Sequence, residues 1–155
     1  MGEVVFDALR GQAALSVVKG LALQLDGKIL VDIANPLDFS HGMPPSLSVC
    51  NTDRLGEQIQ RALPQVRVVK IFNTVSAVLQ VEPGQLAGGN HDIFMCGNDP
   101  AAKEQAAKIA RSYGWKTVID LGDITSARGM EMIMPIWLRL WGVLGTPAFN
   151  FRIIR

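Results

Sequence analysis

Two segments constrain this chain more than any others: Lys28-Ile29-Leu30-Val31-Asp32-Ile33-Ala34-Asn35-Pro36 and Val66-Arg67-Val68-Val69-Lys70-Ile71-Phe72-Asn73-Thr74. Each is a short apolar run rich in β-branched residues, and each ends in small polar residues. Parallel strands buried on both faces read this way, because helices cover them above and below. Ligands of such sheets sit outside the carboxyl ends of the strands. The two polar endings are therefore candidates for the rim of a crevice.

The rest of the chain supplies the alternation that a parallel sheet needs. Glu3 to Phe6 reads as a strand. Gln12 to Leu25 carries Leu15, Val18, Leu21, Ala22 and Leu25 at helical spacing, closed by Gly27. After the strand Lys28 to Ile33, the segment Asn35 to Cys50 contains three prolines and no period and reads as a loop. Asp53 to Leu63 forms a helix with Leu55, Ile59 and Ala62 on its apolar face and a Glu57–Arg61 pair on the other, stopped by Pro64. The strand Val66 to Phe72 precedes a short helix, Val75 to Val81. Asp92 to Cys96 is a strand, and Asp99-Pro100 starts a helix that ends at Tyr113 with Gly114 in the left-handed position. Thr117 to Leu121 is the last strand. Asp123 caps a final apolar helix that Pro135 should kink near Met134. The tail from Thr146 is irregular, with an extended piece at Phe149 to Ile154. The fold class that follows is α/β: a partial Rossmann-like, doubly wound sheet of about five mainly parallel strands, with helices on both faces and a kinked apolar helix at the C-terminus.

Length and composition narrow the rest. At 155 residues the chain is one domain, with the sheet in residues 1–122 and a helical interface segment in 123–155. Apolar residues make up 48%, charged residues 19%, and the net charge is +1, which argues against nucleic acid as a partner. The most apolar window, Met130 to Phe151, is interrupted by Glu131, Pro135, Arg139, Gly142 and Gly145, which argues against a membrane span. Cys50 and Cys96 are far apart and no secretory leader precedes them, so reduced thiols and a cytoplasmic location are expected.

Candidate chemistry is sparse. Three strand ends meet the expected crevice: Ala8-Leu9-Arg10-Gly11-Gln12, Ala34-Asn35-Pro36 and Phe72-Asn73-Thr74. Amide side chains there can bond ribose hydroxyls or a carboxamide, and Pro36 offers a flat apolar surface. Asn-Pro and Asn-Thr are equally common in turns and caps, so both readings stand. His41 and His91 lack metal-ligand spacing, Cys96 lies in an apolar strand, and no acidic pair suits acid–base work. Asp32 is the odd residue, since alternation places it inside. The Met130–Trp141 helix is apolar nearly all round, with Met134 and Trp137 placed to touch a flat ligand. No two glycines are separated by one residue, so the glycine-rich phosphate turn of dinucleotide-binding folds is absent from these residues.

Gly27 to Pro36, Lys70 to Thr74, His91 to Asp99, Val118 to Ile124 and Ala127-Arg128-Gly129, in this order and spacing, resemble the dinucleotide-binding proteins related to NADP-dependent coenzyme F420 (deazaflavin) oxidoreductase. The likeness spans nearly all the chain and begins about where that family's fourth strand would begin, so a truncated domain is expected. It implies hydride transfer between NADPH and a deazaflavin or flavin-like ring, in which the cofactors carry the chemistry and no catalytic side chain or metal is needed. It also implies roles. Leu9 and Gly11 would line the ribose side, Asn35 and Pro36 would border the nicotinamide, and Asn73 and Thr74 would close the pocket. The loop containing Ser40, His41 and Met43 would shape the second-ring site. The alternative is a non-catalytic binding or assembly module that keeps the sheet without the cofactor. Either way the Glu3–Phe6 edge and the Met130–Trp141 helix are the expected homodimer surfaces.

Overall fold

The structure, a computed structural model, describes residues 2–155. In chain order the elements are β1 (Val4–Asp7), α1 (Gly11–Gly20), α2 (Ala22–Leu25), β2 (Ile29–Asp32), β3 (Leu37–Asp38), β4 (Ser46–Leu47), α3 (Leu55–Ala62), β5 (Arg67–Ile71), α4 (Ala77–Val81), β6 (Asp92–Gly97), α5 (Pro100–Ser112), β7 (Thr117–Asp120), α6 (Ala127–Met132) and α7 (Met134–Leu144). Five of the strands form one sheet in the order β1-β2-β5-β6-β7. This is the expected Rossmann-like layout, with two differences of detail.

The first concerns direction. β1, β2 and β5 run parallel, as do β6 and β7, but β5 and β6 are antiparallel, with Val69 opposite Gly97 and Ile71 opposite Met95. The chain does not cross back over the sheet after β5. It spends residues 72–91 at the carboxyl end of β5, in α4 and two short 3-10 turns, and then enters β6 from that end. The second concerns the proline-rich segment expected as a loop. It contains a two-stranded antiparallel ribbon, β3 with β4, closed by Leu37 opposite Leu47. Strands of two residues carry too little alternation to announce themselves.

Alternation sorts the sheet's side chains onto two faces. Leu30, Val68, Phe94 and Cys96 pack with α1, α3 and α6 through Ala14, Val18, Leu55, Ile59, Ala127 and Met130. Val31, Val69, Ile71, Ile93 and Met95 pack on the other face, mainly against Ala102, Ala106, Ala107 and Ala110 of α5. The small alanines let α5 approach closely. Its start is set by Asp99, whose Oδ1 accepts the Ala102 N–H at 2.7 Å, and its end by Gly114 at φ 103°.

The expected helix from Gln12 to Leu25 is split in two at Leu21, which leaves the helical region immediately after Gly20, a poor helix former. The expected Glu57–Arg61 pair is present at 3.6 Å, but Glu57 is buried on α3 and not on an exposed face, and Arg128 donates to both its carboxylate oxygens at 2.5 and 3.0 Å. The C-terminal helix is bent as expected, with Ile133 between α6 and α7 and Pro135 in the first turn of α7. The tail is irregular and lies on the start of β6. Asp92 N–H donates to the Phe151 carbonyl at 3.0 Å, and Asn150 Nδ2 donates to the Asp92 carbonyl at 2.8 Å.

Candidate functional site

The carboxyl ends of β1 and β2 open into a cleft of about 440 Å³ whose walls include Leu9, Arg10, Gly11, Asn35, Phe39 and Gln80. Its shape depends on a close approach. A Cβ on Gly11 would stand 2.0 Å from the Asn35 carbonyl oxygen, so α1 can begin against the backbone of Asn35 only with glycine there. Asn35 is then locked to the chain just beyond β5 by a reciprocal pair. Its Nδ2 donates to the Asn73 carbonyl at 2.8 Å, and Asn73 Nδ2 donates to Asn35 Oδ1 at 3.0 Å. Phe72, just before, holds φ at 68°, a left-handed conformation unusual for a bulky residue, so the strand end is turned sharply at this point.

The residues expected at the site divide into three groups. Leu9, Gly11 and Asn35 come together on the cleft wall. Pro36, Asn73 and Thr74 stand behind it, buried. Asn73 Nδ2 also donates to the Met130 carbonyl at 3.0 Å, and the Pro36 carbonyl accepts from Ser48 N–H at 2.8 Å. Asn73 and Pro36 brace the wall through these bonds, and none of the three residues is part of its surface. Ser40, His41 and Met43 lie exposed between β3 and β4, with only their neighbour Phe39 reaching the cleft.

Met134 and Trp137 are buried, with Leu138, under the tail, where Trp137 stacks on Phe149 at 5.1 Å. Trp137 also borders a second cleft of about 510 Å³, together with Trp141, Leu79, Leu86 and Pro147. Ala77 of α4 lines both clefts, so they are neighbours.

Beneath the first cleft lies a group of charges that the pattern of apolar runs conceals. Lys70 is fully buried and its ammonium reaches three acceptors: Asp32 Oδ2 at 2.8 Å, the Ala34 carbonyl at 2.7 Å and Glu131 Oε1 at 3.0 Å. The other carboxylate oxygens are also used. Asp32 Oδ1 accepts from Ala34 N–H at 2.9 Å, while Glu131 accepts from Leu55 and Gly56 N–H, both at 3.1 Å. Glu131 thereby caps α3, a service Arg54 at the N-cap position cannot give. Burial works against the charge on Lys70, yet Asp32 and Glu131 hold its pKa above the ordinary lysine value. The sequence carried a signal for this cluster: a charge inside each of three mainly apolar runs, two acids and one base.

Asp7 sits beside Asp32 in register, and burial raises its pKa above the usual carboxylate value. Burial pushes the Cys96 thiol up to about 12. Among the described residues no group of three His, Cys, Asp or Glu side chains is placed to hold a metal ion, and no helix is long and apolar enough to cross a membrane.

Similarity to known proteins bears on the same residues. No family model matches the chain. It is 57% identical to a protein of Arthrobacter sp. FB24 that carries the provisional designation F420-dependent NADP reductase; the match covers 99% of this chain and 70% of that one, with a TM-score of 0.97. It is 33% identical over 141 residues to the F420-dependent NADP reductase of Methanocaldococcus jannaschii, covering 90% of this chain and 62% of the relative. It is 34% identical over 140 residues to the metalloreductase STEAP3 of Rattus norvegicus, covering 87% of this chain and 26% of the relative. The chain thus spans less than two thirds of either curated relative.

Proposed function

The chain belongs to the family of F420-dependent NADP reductases, and on that premise we propose that its cleft forms the ring-binding part of a site linking NADP(H) to a deazaflavin or flavin-like ring. The observation that carries this reading is the meeting of Leu9, Gly11 and Asn35 on one cleft at the carboxyl ends of parallel strands. Apolar surface from Leu9 and Phe39 suits the flat ring, and the Asn35 and Gln80 side chains suit a carboxamide or ribose hydroxyl. The bound cofactors supply the chemistry, a hydride passing between two rings. The protein's part is to orient them and exclude water, which is why no acid–base dyad is called for. The apolar cleft beside Trp137 and Trp141, joined to the first through Ala77, is the place for the second ring.

Calorimetric titration with NADPH tests this. Weak binding, on the order of millimolar, is expected of these 155 residues, because they contain no glycine-rich phosphate turn. Asn35→Ala should weaken it by about 1 kcal/mol, the scale of one lost hydrogen bond. Absence of any heat at millimolar NADPH rejects the reading for this chain.

The reading extends to assembly and place. Among the described residues β1 pairs only with β2, and Ile136, Trp141, Val143 and Leu144 of α7 face outward, so the homodimer of these residues forms through one of these two surfaces and residues 123–155 act as an interface segment. A monomer mass in light scattering at micromolar concentration rejects it. An NADP-linked protein with free thiols at Cys50 and Cys96 belongs in the reducing cytoplasm.

A further inference from the structure

We propose that Lys70 is a positioning residue that sets where Asn35 stands on the cleft wall. The inference takes from the proposed function only that this wall receives the ring. An ammonium group has three protons, and three acceptors stand within 3.0 Å of it here: Asp32 and the Ala34 carbonyl at the end of β2, and Glu131 on α6. One acceptor, the Ala34 carbonyl, belongs to the residue that precedes Asn35. A second, Asp32, accepts from the Ala34 N–H through its other oxygen. The peptide groups on both sides of Ala34 are thus held from below.

The third acceptor, Glu131, fixes α6 against the start of α3. It thereby places the carbonyl of the adjacent residue, Met130, where Asn73 Nδ2 donates to it. Asn73 in turn bonds Asn35 in both directions. Lys70 therefore reaches Asn35 by two routes, one through the backbone of Ala34 and one through Glu131, Met130 and Asn73. Gly56 leaves room for this convergence. A Cβ there would meet Lys70 Cδ at 3.3 Å, Asp32 Oδ2 at 3.4 Å and Ala127 Cβ at 3.2 Å. An apolar filling of the same volume would pack equally well. Only the ions also dictate where the two backbone carbonyls lie.

The test reads the Asn35 and Asn73 side-chain amides by nitrogen-15 NMR in the free protein, so the result does not depend on whether NADPH binds. The triple substitution D32N, K70M and E131Q removes all three charges together and leaves no buried ion unpaired. The expected result is a folded protein whose two amide pairs have moved toward free-amide shifts, with exchange against solvent faster by about tenfold or more, the scale of one or two lost hydrogen bonds. Where NADPH binds the parent, its Kd should rise by a similar factor. Ile71→Ala, on the opposite face, is the control: it lowers stability and leaves both amide pairs unmoved. A folded triple variant with both pairs at their parent positions overturns the proposal.

If the triple variant fails to fold, the unsubstituted protein decides. The Lys70 ammonium must then give a slowly exchanging signal that correlates with the Ala34 carbonyl carbon. An ammonium exchanging as fast as those of surface lysines overturns the proposal.

Discussion

The two faces of the sheet bury similar amounts of chain by different means. Under α5 the contact is apolar throughout, with Val31, Val69, Ile71 and Ile93 against a row of alanines. Under α3 and α6 the middle of the sheet is equally apolar, but its crevice end carries Asp32, Lys70 and Glu131, all fully buried. The apolar face gains free energy from removing surface from water and is indifferent to small slides. The ionic end tolerates no slide, since every atom of the cluster has an assigned partner. The strand ends that form the cleft are fixed by the second kind of contact.

Breaking each face in turn should separate the two roles. Lys70→Met leaves two buried carboxylates without their cation and should cost about 3–5 kcal/mol in urea unfolding. Ile71→Ala opens a cavity on the other face and should cost about 3 kcal/mol. If the lysine variant costs no more than a surface substitution, the cluster does not stabilise and the comparison fails. On the apolar side, Asp99→Ala removes the cap of α5 and should cost about 1 kcal/mol.

Acid sharpens the contrast through two aspartates of opposite sign. Asp53 is held at about 2 by Arg61, below its ordinary 3.8. The folded state therefore sheds that proton more readily than the unfolded chain, and the pair's contribution, present above the ordinary value, is lost as pH falls through about 2. Asp7 has a raised pKa, chiefly from burial. The folded state keeps that proton longer, so its contribution fades as pH rises from the ordinary value through the raised one. Urea midpoints followed with pH should lose the first slope in Arg61→Ala and the second in Asp7→Asn. The smallest effect is chemical: in the native protein Ellman's reagent should titrate exposed Cys50 and spare Cys96, whose thiol lies in the core. Two fast equivalents would show that the sheet opens at β6.

The strands, their alternation and the Pro135 bend were legible because burial on two faces leaves continuous apolar runs and helices leave a period. Strand direction was not. The run Asp92 to Cys96 reads the same either way, and only the path of residues 72–91 decides it. The cleft wall was half legible. Asn35 and Gly11 follow from the rule about strand ends, but Asn73 reads the same whether it faces a ligand or a neighbouring backbone. Lys70 was hidden because a charge within an apolar run is meaningful only with its partner, and the partners lie 38 residues before it and 61 after it.

The reversal between β5 and β6 has a consequence for how such a site can diversify. Because the chain enters β6 from the end where it left β5, the stretch from Thr74 to His91 lies at the crevice end, anchored in the core by Val75 and Leu79, with Ala77 and Gln80 reaching the first cleft and the turns from Glu82 to Gly88 largely exposed. Residues could be added or removed in those exposed turns without shifting any rung of the sheet. That makes this stretch the part of the molecule where a new preference for one ring over another could arise while the frame beneath stays unchanged.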